Sequence, residues 1–94
     1  MRIETLIWDD WNEEHIAAHG ISPEEVEEIC SSRGLVLRRG RAGTYAVLGR
    51  TAEGRELIVF LAPRGRHPGT FYPVTARPMN SRERRYYRTR RSNT

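Results

Sequence analysis

Residues 70–88 constrain the fold more than any other stretch, because they change from strand chemistry to helix chemistry within a few positions. Residues 70–77 are rich in aromatic and β-branched side chains, which predicts a strand. Alternation along a strand predicts two faces, one with Tyr72, Val74 and Ala76 and the other with Phe71, Thr75 and Arg77. We expect one of these faces to enter a hydrophobic core.

Proline and a capping sequence mark the end of this strand and the start of a helix. Pro73 has no N–H for a sheet ladder, so the strand is expected either at a sheet edge or bulged at this residue. Pro78 ends the strand. Asn80, followed three residues later by Glu83, matches a capping box and predicts a helix that begins near Ser81.

A second helix signal lies in the N-terminal third of the chain. Ser22 can cap a helix and Pro23 suits the first helical position. Glu25 completes a capping box, and Ile21 can pack on Val26 as a hydrophobic staple. These residues predict a helix from Pro23 with a buried stripe of Val26, Ile29 and Cys30.

The preceding helix is predicted over residues 11–19. Asp9 or Asp10 can cap its start, and Gly20 can take the left-handed conformation that ends many helices. Residues 3–8 before it are apolar and β-forming, which predicts a first strand.

Two more strands are predicted over residues 45–51 and 55–62. Gly54 supplies the positive φ that a tight hairpin between them requires. Residues 57–61 are apolar on both faces, which indicates a central place in the sheet. Residues 35–43 begin like a short strand and end as a basic glycine-containing loop, so they stay unassigned.

These elements predict one small α+β domain spanning residues 1–94. We expect a mostly antiparallel four-stranded sheet, two N-terminal helices and a basic C-terminal helix, with the helices packed against one face. Residues 89–94 are expected to form a tail that can fray.

Charge is strongly separated along the chain. Residues 1–32 carry nine acidic residues against one arginine, a balance of −8, whereas residues 33–94 carry fifteen arginines against three glutamates, a balance of +12. All of the basic residues are arginine, whose planar guanidinium suits phosphate or carboxylate. GC-rich coding also favours arginine, so the separation of charge is the stronger observation. It indicates either nucleic acid or an acidic protein as the partner.

Other classes of function find less support. His15 and His19 have the spacing of metal ligands on a helix, but no glutamate of an HExxH motif lies between them, so we expect neither metal nor cofactor. Cys30 is the only cysteine and is expected to be a small buried side chain. No apolar run reaches membrane-spanning length and no signal-peptide pattern is present, so a soluble cytoplasmic protein is expected.

The basic half carries a constellation suited to RNA. The 2′-OH of RNA can attack the neighbouring phosphate if a base, a proton donor and positive charge are in place. His19 or Glu83 are candidates for the base, Arg50 and Arg77 for the phosphate, and Tyr72 or Tyr87 for the donor or base stacker. Simpler roles stay open: His19 can cap a helix end, Glu83 can serve only its capping box, and the arginines can bind an acidic protein.

Short motifs along nearly the whole chain resemble the BrnT-like toxin family. They are Trp8-Asp9, His15 to Ser22, Gly49-Arg50, Gly54-Arg55 and, most specifically, Thr75 to Tyr87. The resemblance implies a RelE-like fold, an RNA-cleaving toxin of a type II toxin–antitoxin system, and a ribbon-helix-helix antitoxin as partner. Lysines of the family pattern are replaced here near Trp11 or Asn12 and at Ala18.

The resemblance matches five residues of this chain to family motifs: His19, Arg50, Arg77, Glu83 and Tyr87. We therefore expect a metal-independent endoribonuclease with His19, Arg77, Glu83 and Tyr87 as catalytic residues. The expected RNA-binding residues are Arg50, Arg55, Tyr72, Arg82, Arg85 and Arg88. A non-catalytic module that binds RNA or an acidic protein is the alternative, and the oligomeric state is left open.

Overall fold

A computed structural model describes residues 2–91 and has an α+β architecture. Its strands are β1 (Thr5–Leu6), β2 (Val36–Arg39), β3 (Tyr45–Arg50), β4 (Glu56–Pro63) and β5 (Thr70–Pro78). Its helices are α1 (Asp10–Ala17), α2 (Pro23–Ser31) and α3 (Ser81–Arg91). Residues 89–91, expected in a frayed tail, continue α3, and residues 92–94 of that expectation lie outside the described part.

The sheet differs from the prediction in strand number, whereas three of the four strand pairings in the described part of the chain are antiparallel and only one is parallel. Within residues 2–91 it has five strands in the order β1-β5-β4-β3-β2. The unassigned residues 35–43 supply β2, which pairs antiparallel with β3, and β1 pairs parallel with β5. The four-stranded prediction is therefore wrong, because residues 35–43 begin like a strand but end as a basic loop, and the short β2 was not assigned from the sequence. The central position predicted for residues 57–61 is confirmed, since β4 lies between β3 and β5.

All three helices within residues 2–91 begin at capping boxes. The Ser22 hydroxyl accepts from the backbone of Glu25 at 3.2 Å, and Asn80 accepts from the backbone of Glu83 at 2.8 Å, which confirms both predicted starts. Helix α1 is capped by Asp9, whose partner three residues on is Asn12. These caps satisfy backbone N–H groups that a helix start leaves without partners.

Two hydrophobic cores lie on opposite faces of the sheet. Helices α1 and α2 cover one face, where Ile16, Val26 and Ile29 pack with the alternate strand residues Val47 and Val59. Helix α3 covers the other face, where Met79 and Tyr87 pack with Ala46, Leu48 and Ile58. The prediction that the helices share one face is therefore wrong. The apolar residues of β3 and β4 fill both faces, which leaves room for a layer on each side.

A bulge in β5 changes the predicted alternation. Leu61 of β4 pairs with Pro73 while its neighbour Phe60 pairs with Thr75, so Val74 is an extra residue. Phe71 and Ala76 consequently enter the same core, although simple alternation placed them on opposite faces. The bulge lies beside the proline without an N–H, which confirms one of the two predicted outcomes for Pro73.

Asn12 connects α1 to the outer side of β5. Its side-chain amide donates to the carbonyl oxygens of Ile7 and Pro73, both at 3.0 Å, and the residue is fully buried. The carbonyls therefore have a partner at a position where β1 is too short to pair with β5. No helix in the described part of the chain is long and apolar enough to cross a membrane.

Candidate nucleic-acid interface

The fold turns the charge separation of the sequence into two charged sides. The acidic residues of α1 and α2 lie on one side of the sheet, and among them Asp10, Glu13, Glu14 and Glu24 are exposed. Helix α3 and its arginines lie on the other side. A polyanion therefore meets favourable charge on the α3 side and repulsion on the α1 and α2 side.

Two clefts lie side by side where α3 ends near the β3–β4 hairpin. The first has a volume of about 500 Å³, and its lining includes Arg50, Tyr87 and Arg91, together with Glu28 of α2, whose carboxylate accepts from the backbone N–H of Ala52. The second has a volume of about 460 Å³ and is lined by Arg50, Arg91, Arg88 and Glu56. Because Arg50 and Arg91 line both, the clefts form one basic surface, which we call the arginine cleft.

Glu56 is the one acidic side chain that lines the second cleft. Arg88 donates to both of its oxygens, from Nη2 at 2.7 Å and from Nε at 3.0 Å. This bond and the nearby charges of Arg50 and Arg84 lower the pKa of Glu56. Its single negative charge thus orients Arg88 and leaves the surrounding guanidinium groups with a net positive charge.

Tyr87 brings a hydroxyl to this surface. Its ring packs in the α3 core and is only 3% exposed, and the guanidinium carbon of Arg91 lies 5.7 Å from the ring centroid. Every buried side-chain oxygen in the described residues has a hydrogen-bond partner. The Tyr87 hydroxyl has none within residues 2–91, so this oxygen is not itself buried. The hydroxyl therefore opens into the cleft, where it can donate to a ligand.

A second arginine pair lies at the start of α3. Arg77 donates to both carboxylate oxygens of Glu83, at 2.7 and 2.8 Å, and the backbone N–H of Asn80 donates to Glu83 at 2.9 Å. These contacts join the end of β5 to the first turn of α3. The Arg77 side chain is 35% exposed, so part of its guanidinium still faces solvent.

The geometry gives Glu83 a supporting role and not that of a base. The bond to Arg77 and the helix cap lower the pKa of Glu83, which outweighs the effect of its burial. A carboxylate with a lowered pKa and both oxygens bonded is a poor proton acceptor at neutral pH. Glu83 fixes the orientation of Arg77, whose free N–H groups can contact a phosphate.

Exposed aromatic and basic side chains extend along α3. The guanidinium carbons of Arg90 and Arg38 lie 4.9 and 5.1 Å from the ring centroid of Tyr86. Arg82 and Arg85, both predicted to bind RNA, are exposed and form no ion pair within residues 2–91. Guanidinium groups beside a phenol ring suit the phosphates and bases of a single strand.

Two residues of the predicted site make contacts with α1 or α2, on the acidic side of the sheet. His19 follows the end of α1, on the opposite side of the sheet, where its ring contacts that of His15 at 5.8 Å. Arg55 forms an ion pair of 2.6 Å with Glu25 of α2. Arg55 also lines a small cleft with Pro78 and Arg84 near the start of α3, so His19 is the residue that the structure separates from Arg77, Glu83 and Tyr87.

Tyr72 is held in the fold by its hydroxyl. The residue is 8% exposed, and its hydroxyl donates to both Asp9 oxygens, at 2.9 and 3.0 Å. Burial and the bond to Asp9 raise the pKa of Tyr72. The guanidinium of Arg64 lies over its ring at 4.2 Å. Little of the ring remains for the base stacking predicted for it.

The predicted site residues did not include three charged residues that line the arginine cleft, Glu28, Glu56 and Arg91. Helical spacing could have found Arg91, because Arg84, Arg88 and Arg91 recur at the intervals of one helix face. No local pattern pointed to Glu56, which meets Arg88 across 32 residues of sequence. Burial also raises the pKa of the Cys30 thiol to about 12, in keeping with its predicted role as a small core residue.

Comparison with models of known protein families and with curated proteins finds no match for this chain. The assignment of function therefore rests on the geometry and charge of the α3 side.

Proposed function

We propose that the protein binds single-stranded RNA along α3, with the phosphates held in the arginine cleft. The observation that carries this proposal is the convergence of Arg50, Arg88 and Arg91 on the second cleft, where the single lining carboxylate, that of Glu56, is already ion-paired. A phosphate entering the second cleft meets several donors, and the only carboxylate of its described lining is neutralised by Arg88. Bidentate contacts from arginine to phosphate are the favoured chemistry of such a surface.

Single strands suit this surface better than duplexes. Tyr86 presents a partly exposed ring between basic residues of α3, and an unstacked base can pack on such a ring. In a double helix the base faces are covered by their neighbours, so only the phosphates would make contact. We expect a short single strand to bind more tightly than a duplex with the same number of phosphates.

The experiment is a salt titration of binding to a short, fluorescently labelled single-stranded RNA. Each phosphate contact contributes about −0.7 to the slope of log K against log salt, so the Arg50→Ala/Arg88→Ala variant should have a slope smaller in magnitude by about 1.4. The Arg64→Ala/Arg66→Ala variant is the matched control, because it removes the same charge from the loop between β4 and β5. If the slope decreases equally in the two variants, only net charge attracts RNA, and the assignment to the cleft is overturned.

RNA cleavage, the activity expected of a toxin, is the second candidate function, and it would act on RNA bound as in the first. The opening of the Tyr87 hydroxyl into a cleft lined by Arg50 and Arg91 favours it. In this reaction the 2′-OH loses its proton to a water molecule as its oxygen attacks phosphorus, and the bond to the 5′ oxygen breaks, which leaves a 2′,3′-cyclic phosphate and a 5′-hydroxyl. Guanidinium groups would stabilise the charge that develops, and Tyr87 would protonate the leaving oxygen.

Tyr87→Phe tests this role, because it keeps the ring in the core and removes the hydroxyl. We expect cleavage to fall by about 100-fold or more while RNA affinity is retained. Cleavage should persist with a chelator present and give cyclic phosphate ends. If wild-type protein binds RNA but leaves it intact, the binding proposal stands and cleavage is rejected.

The resemblance noted in the sequence further implies a RelE-like fold, a cytoplasmic location and a ribbon-helix-helix antitoxin, and we include these in the proposal. The antitoxin would have to occupy or occlude the α3 side to protect RNA. Induced expression should arrest growth, and coexpression of the antitoxin should relieve the arrest. Arrest that persists in Tyr87→Phe and Arg50→Ala/Arg88→Ala variants of normal stability would separate toxicity from the arginine cleft.

A further inference from the structure

The two edges of the sheet are closed to different degrees. At one edge, β1 pairs with the start of β5 and α1 covers the part beyond it, where Asn12 donates to the Pro73 carbonyl. At the other edge lies β2, whose inner side pairs with β3 and whose outer side pairs with no strand in residues 2–91. Strand β2 therefore presents backbone groups that can pair with a further strand.

The side chains of this open edge are exposed and basic. Leu37, Arg38 and Arg39 are all exposed, and Leu37 is one of two large hydrophobic residues exposed in the described chain. No acidic residue occurs between Glu28 and Glu53. Arg39 and Arg41 form no ion pair within residues 2–91.

The charge of the edge decides what can pair with it. A second copy of the chain, added antiparallel on β2, would bring the arginines of the two strands against each other. Like charges on directly opposed strand residues are destabilising, and charged edge residues protect a sheet from this kind of self-association. Acidic side chains on an added strand would instead form favourable charge pairs, with Arg38 on the α3 face of the sheet and with Arg39 on the opposite face.

We propose that the outer edge of β2 is a docking site for an extended acidic segment of a partner protein, which adds to the sheet as a further strand. Backbone hydrogen bonds supply pairing, the arginines select acidic residues, and Leu37 offers an apolar contact at the alternate position. This site is separate from the arginine cleft and does not depend on RNA binding.

The test uses a blocked, labelled peptide of alternating glutamate and valine, titrated by fluorescence anisotropy. Hydrogen exchange of the wild-type protein is measured with and without it. We expect saturable binding and at least about tenfold slower exchange for the outward-facing amides of β2. The same peptide with N-methyl groups on alternate residues keeps the charge but cannot form the strand ladder, and it should not bind.

Variants show whether the arginines of the edge select the peptide. Arg39→Glu/Arg41→Glu should weaken its binding by about tenfold or more, whereas Arg64→Glu/Arg66→Glu, at the other sheet edge, should change it by less than about threefold. Equal binding of the N-methylated peptide would reduce the contact to charge attraction and overturn strand addition. The proposal also fails if the peptide leaves β2 unprotected while a short single-stranded RNA protects it, since the edge would then belong to the nucleic-acid interface.

Discussion

Two glutamate–arginine pairs with nearly the same bond lengths should differ in what they contribute to stability. Arg77 with Glu83 and Arg88 with Glu56 are both bidentate, with shortest distances of 2.7 Å. The Arg77 side chain is 35% exposed and that of Arg88 is 63% exposed. Solvent screens an exposed pair more strongly, so burial and not hydrogen-bond geometry should determine the difference.

The magnitudes follow from the number of bonds and their environment. Glu83 accepts two charge-assisted hydrogen bonds from Arg77 in a partly buried site, for which we expect a coupling energy of about 2 kcal/mol. The more exposed pair of Arg88 and Glu56 should contribute much less, because solvent screens it. For a domain of this size, about 2 kcal/mol corresponds to a change in Tm of roughly 8–16 °C.

Double-mutant cycles in urea denaturation measure these coupling energies directly. The variants are Arg77→Ala and Glu83→Gln for one pair and Arg88→Ala and Glu56→Gln for the other, each singly and together. Circular dichroism follows unfolding. Equal coupling energies for the two pairs, or less than about 0.5 kcal/mol between Arg77 and Glu83, would refute the argument from burial.

The pH dependence gives the same prediction an independent check. The pKa of Glu83 is lowered in the folded protein from its ordinary value of 4.5, chiefly by Arg77. The contribution of the ionised Glu83 carboxylate to the free energy of unfolding is therefore fully present above about pH 5, and it is lost as the pH falls through the lowered pKa. The stability difference between the wild type and Glu83→Gln should be constant near neutral pH and shrink in acid. A difference that grows in acid would contradict the ionised state assigned to Glu83.

Three further predictions concern the core, the packing of α2 and the unused histidine. Asn12→Ala should lose about 2–3 kcal/mol of stability in urea unfolding, because the buried Pro73 carbonyl and the partly buried Ile7 carbonyl lose their donor. Gly49→Ala should lose about 1–2 kcal/mol, because the new methyl group would lie 3.0 Å from a methyl carbon of Ile29. His19→Gln should leave RNA affinity and any cleavage unchanged within about twofold, since His19 lies on the other side of the sheet from the arginine cleft.

Each of these predictions has a matched control or a contradicting result. A loss below about 1 kcal/mol in Asn12→Ala would mean that other groups can satisfy the two carbonyls. Gly34→Ala is the control for Gly49→Ala, because its methyl group would meet no atom within 4 Å, and similar losses in both would exclude the contact with Ile29. Loss of cleavage in folded His19→Gln would return that residue to the catalytic set and contradict the assignment to α3.

Much of the local structure follows from signals within three or four residues. The pairs Ser22 with Glu25 and Asn80 with Glu83 place the starts of α2 and α3, and Gly54 adopts the positive φ of 91° expected in the hairpin. Such features are readable because each hydrogen bond joins neighbours in the chain, so no knowledge of the fold is needed.

The roles of the predicted site residues depended on contacts between distant parts of the chain. Arg55 and Arg88 look alike in sequence, yet one meets Glu25 across 30 residues and the other meets Glu56 across 32. The first pair fixes α2 to the hairpin, and the second lies beside the arginine cleft. Likewise, Tyr72 and Tyr87 differ because only the first has its hydroxyl bonded, to Asp9 at the start of α1.

The sequence thus determined the kinds of element and the separation of charge, whereas the tertiary structure decided which arginines face a common surface. The bulge at Val74 and the placement of α3 on the opposite face from α1 and α2 produce that surface. Both depend on strand register, which is set by the packing of two cores and not by any short run of residues.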